Sequence, residues 1–231
     1  MVRTPTRRAI AAGVAIALAL SLAATAAFAG GDGGASTHAH AADAQHDEAA
    51  ARPTRRAFHD TMRKLWEDHV AWTRLFIVSF AHDLPDLQAT TDRLLRNQVD
   101  IGNAVKPFYG EAAADALTAL LTEHITIAAD VLAAAKAGDD EAFADARRAW
   151  YRNGRQIARF LHDANPEHWR LREMRSMMRE HLDLTLAEAA HRLAGDYEAD
   201  VEAYEAVHLA ILHMADMLSR GIVRQFPGRF A

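Results

Sequence analysis

Proline and glycine divide most of this chain into six segments, each long enough for one helix. The segments carry apolar residues at helical spacing, are rich in Ala, Leu, Arg and Glu, and do not alternate with a period of two. We therefore expect six helices, each ending at or before a Pro or Gly, over about 57–82, 85–106, 110–137, 139–164, 167–194 and 196–226. Such short connections favour an all-α, up-down helical bundle.

The first 29 residues have the pattern of a cleavable export signal. Arg3, Arg7 and Arg8 precede a short apolar run that ends in an A-x-A-like site, so we expect cleavage after Ala29. No later segment approaches the ~20 consecutive apolar residues of a membrane span. We therefore expect a secreted or periplasmic protein with no membrane span after signal removal. The Arg7-Arg8 pair is only a weak indication of twin-arginine rather than Sec export.

Residues 30–56 are rich in Gly, Ala, Ser and Asp, and this composition predicts a flexible linker. Its His38, His40 and His46 could hold a transition metal loosely, although solvated residues without a role are the more common case. The remaining 57–227 would form one helical bundle domain with a single core.

Charge and cysteine content exclude several functions. Removing residues 1–29 removes three arginines and no acid, so the net charge of −5 becomes −8. An acidic chain lacks the basic face that nucleic-acid binding needs, and we expect no nucleic-acid partner. The absence of cysteine excludes disulfides, thiolate metal ligands and a lipid anchor on cysteine.

Six polar residues recur at nearly equal intervals along the expected helices. Three are histidines that each follow an acid, 55 and 57 residues apart: His69, His124 and His181. Three more lie about halfway between or after them: Asn97, Asn153 and His208. Residues equally distant from hairpin turns lie at the same height in an up-down bundle. The spacing of 27 to 29 residues therefore predicts one polar layer across the bundle.

The histidine segments also resemble one another locally: WEDHVAWT, LTEHITIA and MREHLDLT. Each has an acid before the histidine, an aliphatic residue after it, and Thr or Ala four residues later. Together with Arg96-Asn97 and Arg152-Asn153, which are 56 residues apart, this indicates three repeated helical hairpins of about 56 residues.

The polar layer has two interpretations. In the first, His69, His124 and His181 are neutral imidazole ligands of one transition metal ion such as copper, zinc or iron, with Asn97, Asn153 and His208 completing the site. In the second, buried His and Asn side chains bond one another and only set the helix register, in a non-catalytic structural or interaction module. The partner in the first case is a metal ion or another small molecule.

A metal-dependent enzyme is the third hypothesis. Asp100 lies three residues after Asn97 and is the most plausible inward carboxylate, as a ligand or as a partner that orients one. The alternative for Asp100 is a surface acid paired with Arg96 or Lys106. No phosphate loop, nucleophile elbow or H-E-x-x-H motif is present, so we lean away from an enzyme.

Methionine gives a second, weaker indication of metal. Beyond the signal the chain contains Met62, Met174, Met177, Met178, Met214 and Met217. Four of them should lie toward one end of the bundle with His213, and thioether and imidazole groups suit copper(I). Methionine is more often a flexible core residue.

At LWEDHVAWTRLFIVS, RNQVDIGNAVKPFYGE, LLTEHITIAADVLAAAKAGD and MADMLSRGIVRQFP the chain resembles an uncharacterised family of small exported bacterial all-helical proteins. The resemblance covers nearly all of 65–227 and implies a helical domain, without carrying over any site residue. Members are sometimes named acetylglutamate kinase or glycosyltransferase. A kinase of that type needs an α/β nucleotide-binding sheet and a glycosyltransferase normally needs one too, and nothing in this sequence predicts such a sheet.

Overall fold

The computed structural model describes residues 52–231, which form six helices and one short terminal turn. The helices are α1 (Arg55–Ala81), α2 (Leu87–Tyr109), α3 (Glu111–Ala137), α4 (Asp140–Ala164), α5 (Leu171–Ala194) and α6 (Tyr197–Gln225), and a 3₁₀ turn follows at Pro227–Arg229. This part of the chain contains no strand, and the expected all-α, up-down bundle is confirmed. The expected signal at 1–29 and residues 30–51 of the expected linker lie outside the described residues.

The six helices close into a ring. Each packs against its neighbours in the chain, α1 also packs against α6, and α5 contacts both α1 and α3. Because the chain reverses at every loop, α1, α3 and α5 run in the same direction. Their residues at equal height can therefore meet inside the ring.

Capping residues fix five of the twelve helix ends in the described residues. The side chains of Thr54, Asp139 and Asp196 accept hydrogen bonds from the backbone N–H three residues later, at 3.0 to 3.2 Å. Gly138 and Gly195 end α3 and α5 with φ of +67° and +77°, a conformation that side chains disfavour. These helix ends agree with those predicted from the capping and glycine residues in the sequence.

Two expected helix boundaries were wrong. Helix α2 passes through Pro107 and ends at Tyr109, because a proline in the last turn removes only one backbone hydrogen bond before Gly110 stops the helix. Helix α5 begins at Leu171 rather than near 167. The intervening residues form a turn in which the Asn165 carbonyl accepts the N–H of Trp169 at 2.8 Å, and the buried Trp169 side chain anchors this turn in the core.

Helices α3 and α6 are long and apolar enough to cross a membrane by length and composition alone. Both contribute buried residues to the bundle, and apolar core helices of bundles pass the same test.

Candidate ligand site at the histidine layer

Three imidazole rings meet in the centre of the bundle. His69 on α1, His124 on α3 and His181 on α5 are each no more than 5% exposed. The ring centre of His181 lies 5.8 Å from that of His69 and 6.1 Å from that of His124. The histidines predicted from their spacing are therefore brought together by the three helices that run in the same direction. We call His69, His124 and His181 the histidine cluster.

The histidine cluster is uncharged at neutral pH. Burial, followed by the proximity of His124, lowers the pKa of His69 to about 3. Burial also lowers the pKa of His124 to about 4, and burial together with the other two rings lowers the pKa of His181 well below its ordinary value. Neutral imidazole is the form that binds metal ions and that both donates and accepts hydrogen bonds.

Two asparagines hold the first two hairpins in the same way. Asn97 Nδ2 donates to the Leu65 carbonyl at 3.0 Å, and Asn153 Nδ2 donates to the Leu120 carbonyl at 3.1 Å. Each carbonyl lies four residues before the histidine of its helix. This repeated contact is the structural counterpart of the 56-residue interval between the asparagines.

Asn153 also fixes the tautomer of His124. Its Nδ2 donates to Leu120 and to a carboxylate oxygen of Glu123, so its Oδ1 is the acceptor that faces His124 Nδ1 at 2.9 Å. The proton of neutral His124 is therefore on Nδ1, and Nε2 carries the free lone pair.

Gln98 belongs to the layer although the sequence interpretation did not include it. It is fully buried, and its Nε2 lies 3.4 Å from His69 Nδ1 and donates to the Leu94 carbonyl at 2.8 Å. The helical spacing of Leu94, Gln98 and Ile101 places this residue on the inward stripe of α2. That spacing was the signal that could have identified it.

Several buried polar atoms around the histidine cluster have no hydrogen-bond partner among the described residues. They are His181 Nδ1, Gln98 Oε1, Trp66 Nε1 and Trp150 Nε1. The ring centre of Trp66 lies 5.9 Å from that of His69, and the ring centre of Trp150 lies 5.3 Å from that of His124. An unpartnered buried polar atom costs about 1–3 kcal/mol, so a group of them at one level favours a polar ligand there.

His208 and Asp100 lie outside the histidine cluster, which corrects the expected layer. His208 Nε2 is 2.9 Å from a carboxylate oxygen of Glu67 near the surface, because Val207 takes the inward position on α6. Asp100 is partly exposed and bonded by Arg96 Nε at 3.1 Å, the alternative considered from the sequence.

The three rings are close to, but not at, the separation that one metal ion requires. No group of three or more His, Asp or Glu side chains in residues 52–231 is arranged to hold a metal ion. Imidazoles bound at about 2.0–2.1 Å would place their ring centres roughly 5–5.5 Å apart. Metal binding would therefore require inward movement and rotation of the rings.

An apolar cavity of about 290 Å³ lies beside the histidine cluster. Thr73, Ala128 and Thr185, each four residues after one of the three histidines, contribute to its wall together with Trp150. Another wall residue, Ala190, is exposed, so the cavity reaches the surface along α5. None of the three histidines lines the cavity, which approaches the cluster through Trp150, whose ring centre lies 5.3 Å from that of His124.

The methionines lie mainly in the hydrophobic core. Met62, Met174, Met178 and Met214 are buried in the main core cluster, and His213 is exposed on α6. Their surroundings are those of core residues, whereas His213 faces solvent.

Comparison with protein-family models, curated proteins and solved structures found no match for this chain.

Proposed function

We propose that this protein binds a small ligand at the histidine cluster and that a transition metal ion is the first candidate. The observation that carries the proposal is that the neutral His181 ring lies 5.8 Å from the His69 ring and 6.1 Å from the His124 ring, and that His181 Nδ1 lacks a partner in residues 52–231. A structural layer needs each ring nitrogen to be satisfied, whereas a ligand site needs free lone pairs.

The chemistry of the donors limits the ligand. Imidazole nitrogens suit zinc, copper and iron, and the affinity of such sites rises toward copper(II). His124 would bind through Nε2, because Asn153 holds its Nδ1 proton. Asn153 would then orient a ligand histidine, as partners of metal-bound imidazoles commonly do.

The second candidate function is a structural module in which the layer only sets helix register. The repeated bonds from Asn97 and Asn153 to backbone carbonyls favour it, because they join neighbouring helices without any ligand. The third hypothesis, a metal-dependent enzyme, depended on Asp100, which points to arginines rather than to the cluster.

Export is part of the proposal and is supported by the sequence of residues 1–29 alone. The ligand would then be met outside the cytoplasm. N-terminal sequencing of the mature protein from the natural host tests this directly: cleavage after Ala29 is expected, and an intact N-terminus would contradict it.

Metal content distinguishes the ligand site from the structural layer. The untagged protein would be incubated with Zn²⁺, desalted and measured by elemental analysis, beside His181→Ala and the matched control His208→Ala. A variant with His38, His40 and His46 changed to Ala excludes binding by the linker.

We expect near-stoichiometric zinc in the wild type, the linker variant and His208→Ala, and loss of zinc in a folded His181→Ala. Zinc that remains in His181→Ala, or that disappears with the linker histidines, would refute the proposed site.

A further inference from the structure

A second cavity of about 290 Å³ lies between α4 and the first half of α5, and its rim is strongly basic. Four of its lining residues are arginines: Arg155 on α4 and Arg172, Arg175 and Arg179 on α5. On α5 these residues are three, four and seven apart, which places them on one helix face. The concentration of positive charge is unexpected in a chain whose net charge is −5.

Most of this charge is not neutralised within the described part of the chain. Arg155, Arg172 and Arg175 form no ion pair there, in contrast to the many i,i+4 pairs elsewhere on the bundle. Arg179 lies 3.8 Å from Asp183, and the Tyr151 hydroxyl donates to the same carboxylate. Asp183 is therefore shared by Arg179 and Tyr151 at the margin of the pocket, which four guanidinium groups line.

The interior of the cavity is apolar where it meets the bundle. Met178 and Leu182 are buried and line it, and Gly154 allows α4 to approach Leu182 closely. Arg147 and Arg179 lie over the Tyr151 ring at 5.0 and 6.0 Å from its centre. The pocket thus combines a ring of positive charge with apolar and aromatic surface.

We propose that this pocket binds an organic phosphate, with the phosphate held by the arginines and an apolar body against Met178 and Leu182. Several uncompensated guanidinium groups are balanced better by a phosphate dianion than by a single carboxylate, and guanidinium forks match phosphate oxygens. The N-terminal end of α5, whose first turn includes Arg172, adds positive potential at the same place. This site is independent of the histidine cluster.

The test measures binding of phenyl phosphate by calorimetry, with inorganic phosphate as the probe that lacks an apolar body. The pocket variant is Arg155→Gln with Arg175→Gln, both exposed positions. The matched control is Arg220→Gln with Arg224→Gln on α6, which removes the same charge from an exposed surface elsewhere. Sedimentation with phosphatidylglycerol vesicles asks whether the phosphate belongs to a lipid headgroup.

We expect the wild type and control to bind phenyl phosphate at least about tenfold more tightly than the pocket variant does. Vesicle binding that depends on Arg155 and Arg175 would assign the phosphate to a lipid and also supports the proposal. Equal affinity for inorganic and phenyl phosphate refutes the apolar subsite. Absence of binding to every probe, or equal binding by the pocket variant, overturns the proposal.

Discussion

The side chain of Asn153 accepts a hydrogen bond from Nδ1 of His124 at 2.9 Å while its amide nitrogen donates to the carbonyl of Leu120. One residue therefore joins two helices and also decides which nitrogen of a buried imidazole is free. Asn97 makes the equivalent carbonyl contact with Leu65 in the first hairpin.

Replacing Asn153 by Ala should destabilise the bundle. The change leaves His124 Nδ1 and the Leu120 carbonyl without their partner inside the core, so we expect a loss of roughly 1–3 kcal/mol in the free energy of unfolding. Urea unfolding followed by circular dichroism measures it. Asn103→Ala is the control, because Asn103 is exposed on α2 and makes no described side-chain bond. A loss equal to that of the control would contradict the role given to Asn153.

Acid should weaken the fold through the histidine cluster. The pKa of His69 and of His124 is lowered by burial to about 3 and about 4, from an ordinary value of 6.5. Between pH 6.5 and 4 the unfolded chain therefore binds protons that the folded chain does not, and stability falls as pH falls. Each unit of pKa difference corresponds to about 1.4 kcal/mol.

Urea unfolding at pH 7 and pH 5 tests this linkage. His124→Leu, which cannot titrate, should lose less stability between these values than the wild type, whereas His208→Leu at the bundle surface should follow the wild type more closely. Identical pH dependence in all three proteins would show that the cluster is not buried as described.

Glu188 should have the opposite pH dependence. Burial raises its pKa to about 7 although Arg74 Nη1 lies 2.9 Å from its carboxylate. Between pH 4.5 and 7 the folded state binds the extra proton, so this group reduces stability as pH rises. Glu188→Gln should therefore be less destabilising, relative to the wild type, at pH 8 than at pH 5. The exposed Glu198→Gln serves as control, and a larger cost of Glu188→Gln at pH 8 would contradict the expected sign.

A methyl group at Gly221 should disturb the turn before α5. A Cβ at this position would overlap the indole of Trp169, which is 2% exposed and anchors the turn. Overpacking of this kind costs about 1–3 kcal/mol. Thermal unfolding should show a lower midpoint for Gly221→Ala than for Gly228→Ala, where a Cβ meets nothing within 4 Å. Equal midpoints would mean that Trp169 can move aside freely.

The sequence predicted the height of the polar residues better than their direction. Pro and Gly positions define six helices of similar length, and equal spacing from the turns brings His69, His124 and His181 to one level. Spacing alone does not fix which way a side chain faces, since each residue turns the helix by about 100°. The side chain of His208 consequently contacts Glu67 near the surface, and Val207 takes the inward position on α6. On α2, Gln98 faces the histidine cluster, whereas Asp100 pairs with Arg96.

The basic pocket could not be predicted from the sequence, because it forms only when α4 packs against α5. Arg155 on α4 and Arg172 and Arg175 on α5 are spread over two helices that a loop separates. Only the packing of α4 against α5 brings the uncompensated arginines to one cavity.

Histidine side-chain ¹⁵N NMR during a Zn²⁺ titration tests the ligand site most directly. We expect the Nε2 signal of His124 to shift on metal binding while Nδ1 keeps the proton bonded to Asn153, and the signals of His69 and His181 to shift at the same metal ratio. Saturation with Zn²⁺ that moves only histidines outside the cluster, or leaves all three of these rings unchanged, would contradict it.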